Sequence, residues 1–211
     1  TSADNHQLKN AEFYSKKAYY GLPRNPVHFE NIAIIHGANS DIDSLVSAFN
    51  YVKHNNPQIF EMFFATLLNI DKPYPKSVME IAAKSLELFP TEEGVISLAK
   101  YILYGKTNVD QSVVISKEAR DEFNRKNYEK SLELYLKCIK LNPGDSSFFE
   151  NVGLIYYELK DFESAIKYLL LSIDMPRTVE GKTEYLLGLS YAETQNFELA
   201  CKYLTKSRKV N

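Results

Sequence analysis

Tryptophan is absent from this 211-residue chain, cysteine occurs twice, and glycine and proline occur eight times each. Two cysteines cannot form the dense disulfide framework that stands in for a core in small secreted domains, so an apolar interior has to hold the fold together. Cys138 and Cys201 each fall within an apolar helical face, which leaves two readings, a pair of buried thiols in a reducing compartment, the favoured one, or a disulfide between them. The few prolines lie between apolar runs, and this punctuation favours an all-helical chain. Strand-like alternation never persists beyond short pieces such as QSVVIS. Charge of one sign is lacking as well. Lysine and arginine total 25 against 27 acidic residues, a net charge of −2, which supplies no basic field for nucleic acid or an anionic membrane. There is no apolar run of membrane-spanning length and no charged-then-apolar leader. The chain starts at Thr1 without methionine, as expected of a processed protein or a piece of a longer one.

Catalytic signatures are missing too. The sequence contains no phosphate-cradling GxxxxGK[ST], no GxGxxG, no CxxC and no HExxH. SLAK at Ser97–Lys100 matches the SxxK of penicillin-recognising hydrolases, but its companion motifs are absent. His28 and His36, on one predicted helix, stand roughly 12 Å apart at 1.5 Å per residue, too far to share a metal. His6 and His54 have no partner in sequence, and exposed or locally hydrogen-bonded imidazoles are expected. Glu92 and Glu93 sit at a predicted helix start, where negative charge suits the dipole. The expectation is a chain with no enzymatic activity, no cofactor and no metal.

What is present is repetition. KNYEKSLELY from Lys126, KDFESAIKYL from Lys160 and QNFELACKYL from Gln195 align Asn127, Asp161 and Asn196, at intervals of 34 and 35 residues. Asn and Asp suit an N-cap. An aromatic follows each (Tyr128, Phe162, Phe197), then a small residue (Ser131, Ala165, Ala200), then Tyr135, Leu169 or Leu204 on the same face. The preceding helix repeats as well, with Ala119, Gly153 and Gly188 in one register and Tyr156 equivalent to Tyr191. Pro143 and Pro176 end the second helices. Ser147 and Glu150 have the spacing of a capping box.

On these residues the C-terminal half resembles the tetratricopeptide repeat family over Ser112–Pro143, Ser146–Pro176 and Thr178–Arg208. The usual tryptophan is replaced by Phe149 in the second unit and Ile115 in the first. The resemblance implies an all-α solenoid, a right-handed superhelix of antiparallel helix pairs, with about 11–12 helices in this chain. Residues 1–105 read as degenerate copies. Ala11, Ser15, Ala18 and Pro23 keep second-helix spacing, NPVHFENIAIIHGANS pairs with DIDSLVSAFNYVKHNNP, and QIFEMFFATLLNI pairs with KSVMEIAAKSLELFP. Pro90 to Pro143 is too long for one unit and too short for two, so a phase break or linker is expected at 106–111, where KTNVDQ reads as turn-like. Residues 112–211 then hold three repeats.

The family's first helices line an inner groove. The resemblance therefore implies a partner-binding groove of Arg120, Asn124, Asn151, Leu154, Tyr157, Lys182, Tyr185 and Leu189, suited to a partner protein or extended peptide. Some members grip a C-terminal carboxylate. Asn151 and Lys182 fall in matching places, whereas Ser116, Arg120 and Leu186 depart. The leading expectation is a non-catalytic, cytoplasmic interaction scaffold with no nucleic-acid partner and no direct membrane insertion in this segment. The alternative is the regulatory or substrate-presenting region of a larger enzyme, such as a glycan-transferring or cell-envelope assembly protein, which would place it outside the cytoplasm.

Overall fold

In the computed structural model the described residues are 10, 13–15, 17, 18, 21, 26–52, 56–71, 73–175 and 181–208. Among them the chain is helical without a strand, and eleven helices are delimited. In chain order these are α1 (Pro26–Ala38), α2 (Ile42–Val52), α3 (Pro57–Leu68), α4 (Lys76–Leu88), α5 (Glu93–Tyr104), α6 (Lys106–Asn124), α7 (Tyr128–Leu141), α8 (Ser146–Glu158), α9 (Phe162–Ile173), α10 (Lys182–Glu193) and α11 (Phe197–Arg208). The chain forms two compact units, 1–103 and 104–211. Ala11, Pro23, His6, His54 and Pro176 lie outside the described residues.

The second unit is built from three hairpins, α6–α7, α8–α9 and α10–α11, with α7 packing on α8 and α9 on α10. Each hairpin turns on one residue in the left-handed region: Lys126 at φ 65°, Lys160 at 61° and Gln195 at 62°. The reason is hydrogen-bond closure at the helix end. Lys126 N–H donates to the Phe123 carbonyl at 2.8 Å and Asn127 N–H to the Glu122 carbonyl at 2.9 Å, the paired bonds of a Schellman end. Lys160 with Asp161, and Gln195 with Asn196, repeat the same two bonds. Carbonyls that would otherwise be orphaned are satisfied, which offsets the left-handed backbone cost of roughly 1–2 kcal/mol.

Four residues before each turn's first acceptor, the helices meet across a missing side chain. A Cβ on Gly153 would lie 2.5 Å from Leu169 Cγ, and one on Gly188 would lie 2.5 Å from Leu204 Cγ. The first hairpin has Ala119 at this register, and Ser131 Oγ donates to its carbonyl at 2.7 Å. One register further along, Cys138 Sγ donates to the Ser112 carbonyl at 3.4 Å and Ser172 Oγ to that of Ser146 at 3.0 Å. Burial pushes the Cys138 thiol up to about 11, so it behaves as an inert packing group.

Several expectations are corrected. Asp161 and Asn196 cap their helices, accepting from Ser164 N–H at 3.1 Å and Leu199 N–H at 3.3 Å, but Asn127 makes no cap bond. Its amide donates instead to Glu122 Oε2 at 2.7 Å. Helix α8 is capped by Asp145, which accepts from Ser147 N–H, and not by a Ser147–Glu150 box. The box-type contact occurs at α10, where Glu184 Oε2 accepts from Gly181 N–H at 2.9 Å. Cys201 is exposed, unlike its repeat equivalent Ile166, which is buried in the cluster with Leu186 and Leu187 of the following hairpin. Phe197 is 69% exposed, because its counterpart ring is missing: Phe123 faces Tyr128 and Tyr157 faces Phe162, but Ala192 stands opposite Phe197. KTNVDQ is helical, the first turns of α6. The Lys106–Asp110 pair at 3.1 Å, Asn108 Nδ2 donating to the Tyr104 carbonyl and buried Val109 hold it so, after Gly105 turns the chain at φ 84°.

In the first unit α1 packs on α2 and α3, around a phenylalanine cluster. Phe49 stacks on Phe63 at 4.3 Å and meets Phe60 edge-on at 4.8 Å, and Phe60 meets Phe89 at 5.0 Å. The α1–α2 turn reproduces the hairpin turn of the second unit. Ser40 has φ 51°, Ser40 N–H donates to Gly37 and Asp41 N–H to His36, and Asp41 Oδ1 accepts from Ser44 N–H at 3.1 Å. Buried Ala33 then falls in the register of Ala119, Gly153 and Gly188.

The residue whose carbonyl closes each turn varies in kind. Tyr156 stacks on Tyr168 at 5.5 Å and Tyr191 on Tyr203 at 5.6 Å. His36 is buried, its Nδ1 3.7 Å from Asp41 Oδ2. Glu122, 5% exposed, accepts from Lys130 Nζ at 2.8 Å, Arg125 Nη1 at 3.2 Å and Asn127 Nδ2. The hydrogen bonds from Lys130 and Asn127 hold the Glu122 carboxyl below its usual value and outweigh burial, and Glu122 in turn raises Lys130.

Two outcomes are expected. Ala165→Leu forces α8 and α9 apart and lowers unfolding stability by ~1–3 kcal/mol, read as a midpoint shift in chemical denaturation; an unchanged midpoint contradicts the close approach. A depressed folded carboxyl pKa contributes stability above the unfolded value, about 4.3, and loses it as pH falls through the folded one. The stability gap between wild type and Glu122→Gln therefore narrows on acidification below that value, and a pH-independent gap contradicts the ion cluster.

Candidate functional site

The eight groove residues all lie on the first helices of the three hairpins. Arg120 and Asn124 are exposed on α6, Asn151, Leu154 and Tyr157 are half-buried on α8, Lys182 and Tyr185 are exposed on α10, and Leu189 is half-buried there. Register sorts them further. Arg120, Leu154 and Leu189 are equivalent, seven residues before the N-cap position, and Asn124, Glu158 and Glu193 are equivalent, three before it.

Helices α8 and α10 run in the same direction, each antiparallel to α9, and their relative height is fixed at one end. Lys182 Nζ lies 2.6 Å from Glu150 Oε1, and Thr183 Oγ1 donates to Glu150 Oε2. This register sets Tyr157 level with Leu189, with Tyr185 a turn towards the start of α10 and Glu193 a turn towards its end. Tyr185, Leu189 and Glu193 share one helical face at i, i+4 and i+8.

The electrostatics agree with that arrangement. Burial raises the Tyr157 hydroxyl pKa, with further contributions from the negative charges of Glu193 and Glu158 and from Tyr185. Tyr157 also meets Phe162 edge-on at 5.5 Å. Tyr128 is raised by burial and by Glu158, whose Oε2 lies 3.4 Å from its hydroxyl.

Two residues singled out from the sequence are engaged within the fold. Lys182 is held by Glu150, and the Asn151 amide donates to the Ser147 carbonyl on its own helix at 2.8 Å. Of the others, Tyr185 is exposed, Tyr157 and Leu189 are half-buried and Leu154 packs partly against the Ile166–Leu187 cluster, with Arg120 and Asn124 exposed on α6. Glu158 and Glu193, outside the eight, stand in the repeat register of Asn124 and are exposed. Among the described residues there is no group of three His, Cys, Asp or Glu able to hold a metal, and no helix long and apolar enough to cross a membrane.

Antiparallel hairpins of 34–35-residue period, meeting at a small residue and stacking in series, define a tetratricopeptide-type helical repeat. The chain carries tetratricopeptide repeats: residues 123–145 and 147–178 match that family. No curated protein matches the chain. Among solved structures it is similar to a crystal structure of MamA, at 19% identity over 84% of this chain and 93% of that one, with a TM-score of 0.41. A MamA structure designated AMB-1 gives 16% identity over 86% and 96%, with a TM-score of 0.44. BtubC from P. vanneervenii gives 11% over 98% and 90%, with a TM-score of 0.43. Identities this low, with TM-scores below 0.5, assign no role.

Proposed function

We propose that the chain is a protein-interaction scaffold whose second unit receives a partner peptide or domain on the face formed by the first helices α6, α8 and α10. Repeats spanning 112–143, 146–176 and 178–208 would present that face as one surface. The observation that carries this reading is the series Leu154, Tyr157, Tyr185 and Leu189 along the first helices, with Tyr185 51% exposed and without a side-chain hydrogen bond or ring contact among the described residues. Tyrosine supplies contact area at low conformational cost, and aliphatic neighbours exclude water around it. Asn124 and Arg120 add hydrogen-bond donors for a peptide backbone. The alternative, a substrate-presenting region of a larger enzyme, uses the same face and differs only in what lies elsewhere in the polypeptide.

The test is affinity capture from source-cell lysate. Wild type is compared with Leu154→Ala/Tyr185→Ala and with Leu171→Ala, a control on exposed Leu171 of the second helix α9. Matched thermal midpoints show that all three are folded. A protein retained by wild type and by the α9 variant, but lost by the double variant, is the expected result. Equal retention by all three, or loss only with Leu171→Ala, contradicts the groove.

A further inference from the structure

A single carboxylate joins α8 to α10, and its role rests on the groove reading above. Both oxygens of Glu150 are engaged: Oε1 lies 2.6 Å from Lys182 Nζ, and Oε2 accepts from the Thr183 hydroxyl. The two partners are successive residues in the first turn of α10. Thr183 is 1% exposed and the Glu150 side chain 17%. In the preceding hairpin Phe148 holds the register of Thr183 and is buried beside Tyr135. An apolar side chain therefore suits this position, and burying a hydroxyl and a carboxylate here costs free energy that their mutual bonds have to offset. The apolar contacts of α10, Leu186 and Leu187 with Ile166 and Leu169 of α9, are non-directional and tolerate a slide along the helix axis. Hydrogen bonds do not, because they weaken steeply with distance and angle. Lys182, Tyr185 and Leu189 stand at i, i+3 and i+7, so the residue that Glu150 grips shares a helical face with the groove residues of α10.

We propose that Glu150 is the positioning residue of the groove. By gripping Lys182 and Thr183 it fixes the height of α10 against α8, and with it the spacing at which a partner peptide meets Leu154 and Tyr157 on one helix and Tyr185 and Leu189 on the other. The contact supplies register more than stability. Desolvation of the carboxylate cancels much of what its bonds gain, so apolar side chains of similar volume hold the hairpins together as well, but they leave α10 without a fixed height. Glu150 itself touches no ligand and acts through α10.

The test follows amide chemical shifts of the full chain, labelled with nitrogen-15, in Glu150→Leu/Thr183→Val and in Glu150→Ala. The apolar double variant is expected to keep the wild-type thermal midpoint while amides of Lys182–Leu189 and Leu154–Tyr157 shift and broaden. In Glu150→Ala the same amides move. Sodium acetate at decimolar concentration and neutral pH should return them most of the way, its carboxylate entering the space that Glu150 leaves, and sodium chloride of equal ionic strength should not. Shifts confined to the turns that carry residues 150 and 182–185, or recovery with chloride as complete as with acetate, overturn the positioning role. A lowered midpoint in both variants without recovery in acetate marks a purely structural pair and overturns it too. None of these outcomes needs a partner, so each leaves the groove reading standing. That reading fails separately, through the lysate capture, and a wild type that captures nothing there removes the groove and the role together.

Discussion

The second unit depends on one steric condition: two antiparallel helices have to approach where one of them has little or no side chain. Leu169 and Leu204 occupy the volume that a Cβ on Gly153 or Gly188 would claim. Glycine costs roughly 0.5–1 kcal/mol inside a helix relative to alanine, so its presence at two equivalent positions needs a compensating contact, and the leucine packing supplies it. Once each hairpin is closed, the rest follows. The left-handed residue at 126, 160 or 195 satisfies the helix end, the next residue begins the second helix, and the second helix is left with an apolar face. The following hairpin covers that face. This is why one helix is written three times: no single pair buries its own surface, and each copy completes its neighbour.

The three copies differ where function can vary without harming the stack. Helix-to-helix contact beside the turn is a tyrosine stack in two hairpins and a Glu122-centred ion cluster in the first. Both fill the same space, one by dispersion and one by charge pairing that satisfies every carboxylate oxygen. The groove face varies more freely. Asn124, Glu158 and Glu193 share a register and are exposed, and of the three only Glu158 reaches the neighbouring hairpin, at the Tyr128 hydroxyl.

Much of this was legible in the sequence of the C-terminal half. Small residue, N-cap, aromatic and leucine recur at fixed spacing, and each reports a local condition that a sequence states directly. The N-terminal half was less legible, because its copies keep the turn and lose the signature. Ala33 holds the small position and Asp41 the cap, yet Leu45 stands where the other copies have Ser131, Ala165 and Ala200. A phenylalanine cluster fills the space instead. The groove positions could be read from register, but their state could not. That Lys182 is tied to Glu150, or that Asn127 serves Glu122 and caps nothing, depends on contacts between residues 32 or 5 apart in helices whose relative height no local pattern reveals. KTNVDQ misled for the opposite reason: polar residues that suit a turn also form the i,i+4 pair that opens α6.

The measurement that tests the central claim most directly is site-specific photo-crosslinking in source cells. A benzophenone side chain placed at Tyr185 on the first-helix face is compared with one at Leu171 on the second-helix face. The account predicts a discrete crosslinked partner from position 185 and none from position 171. A discrete partner from 171 alone would contradict it.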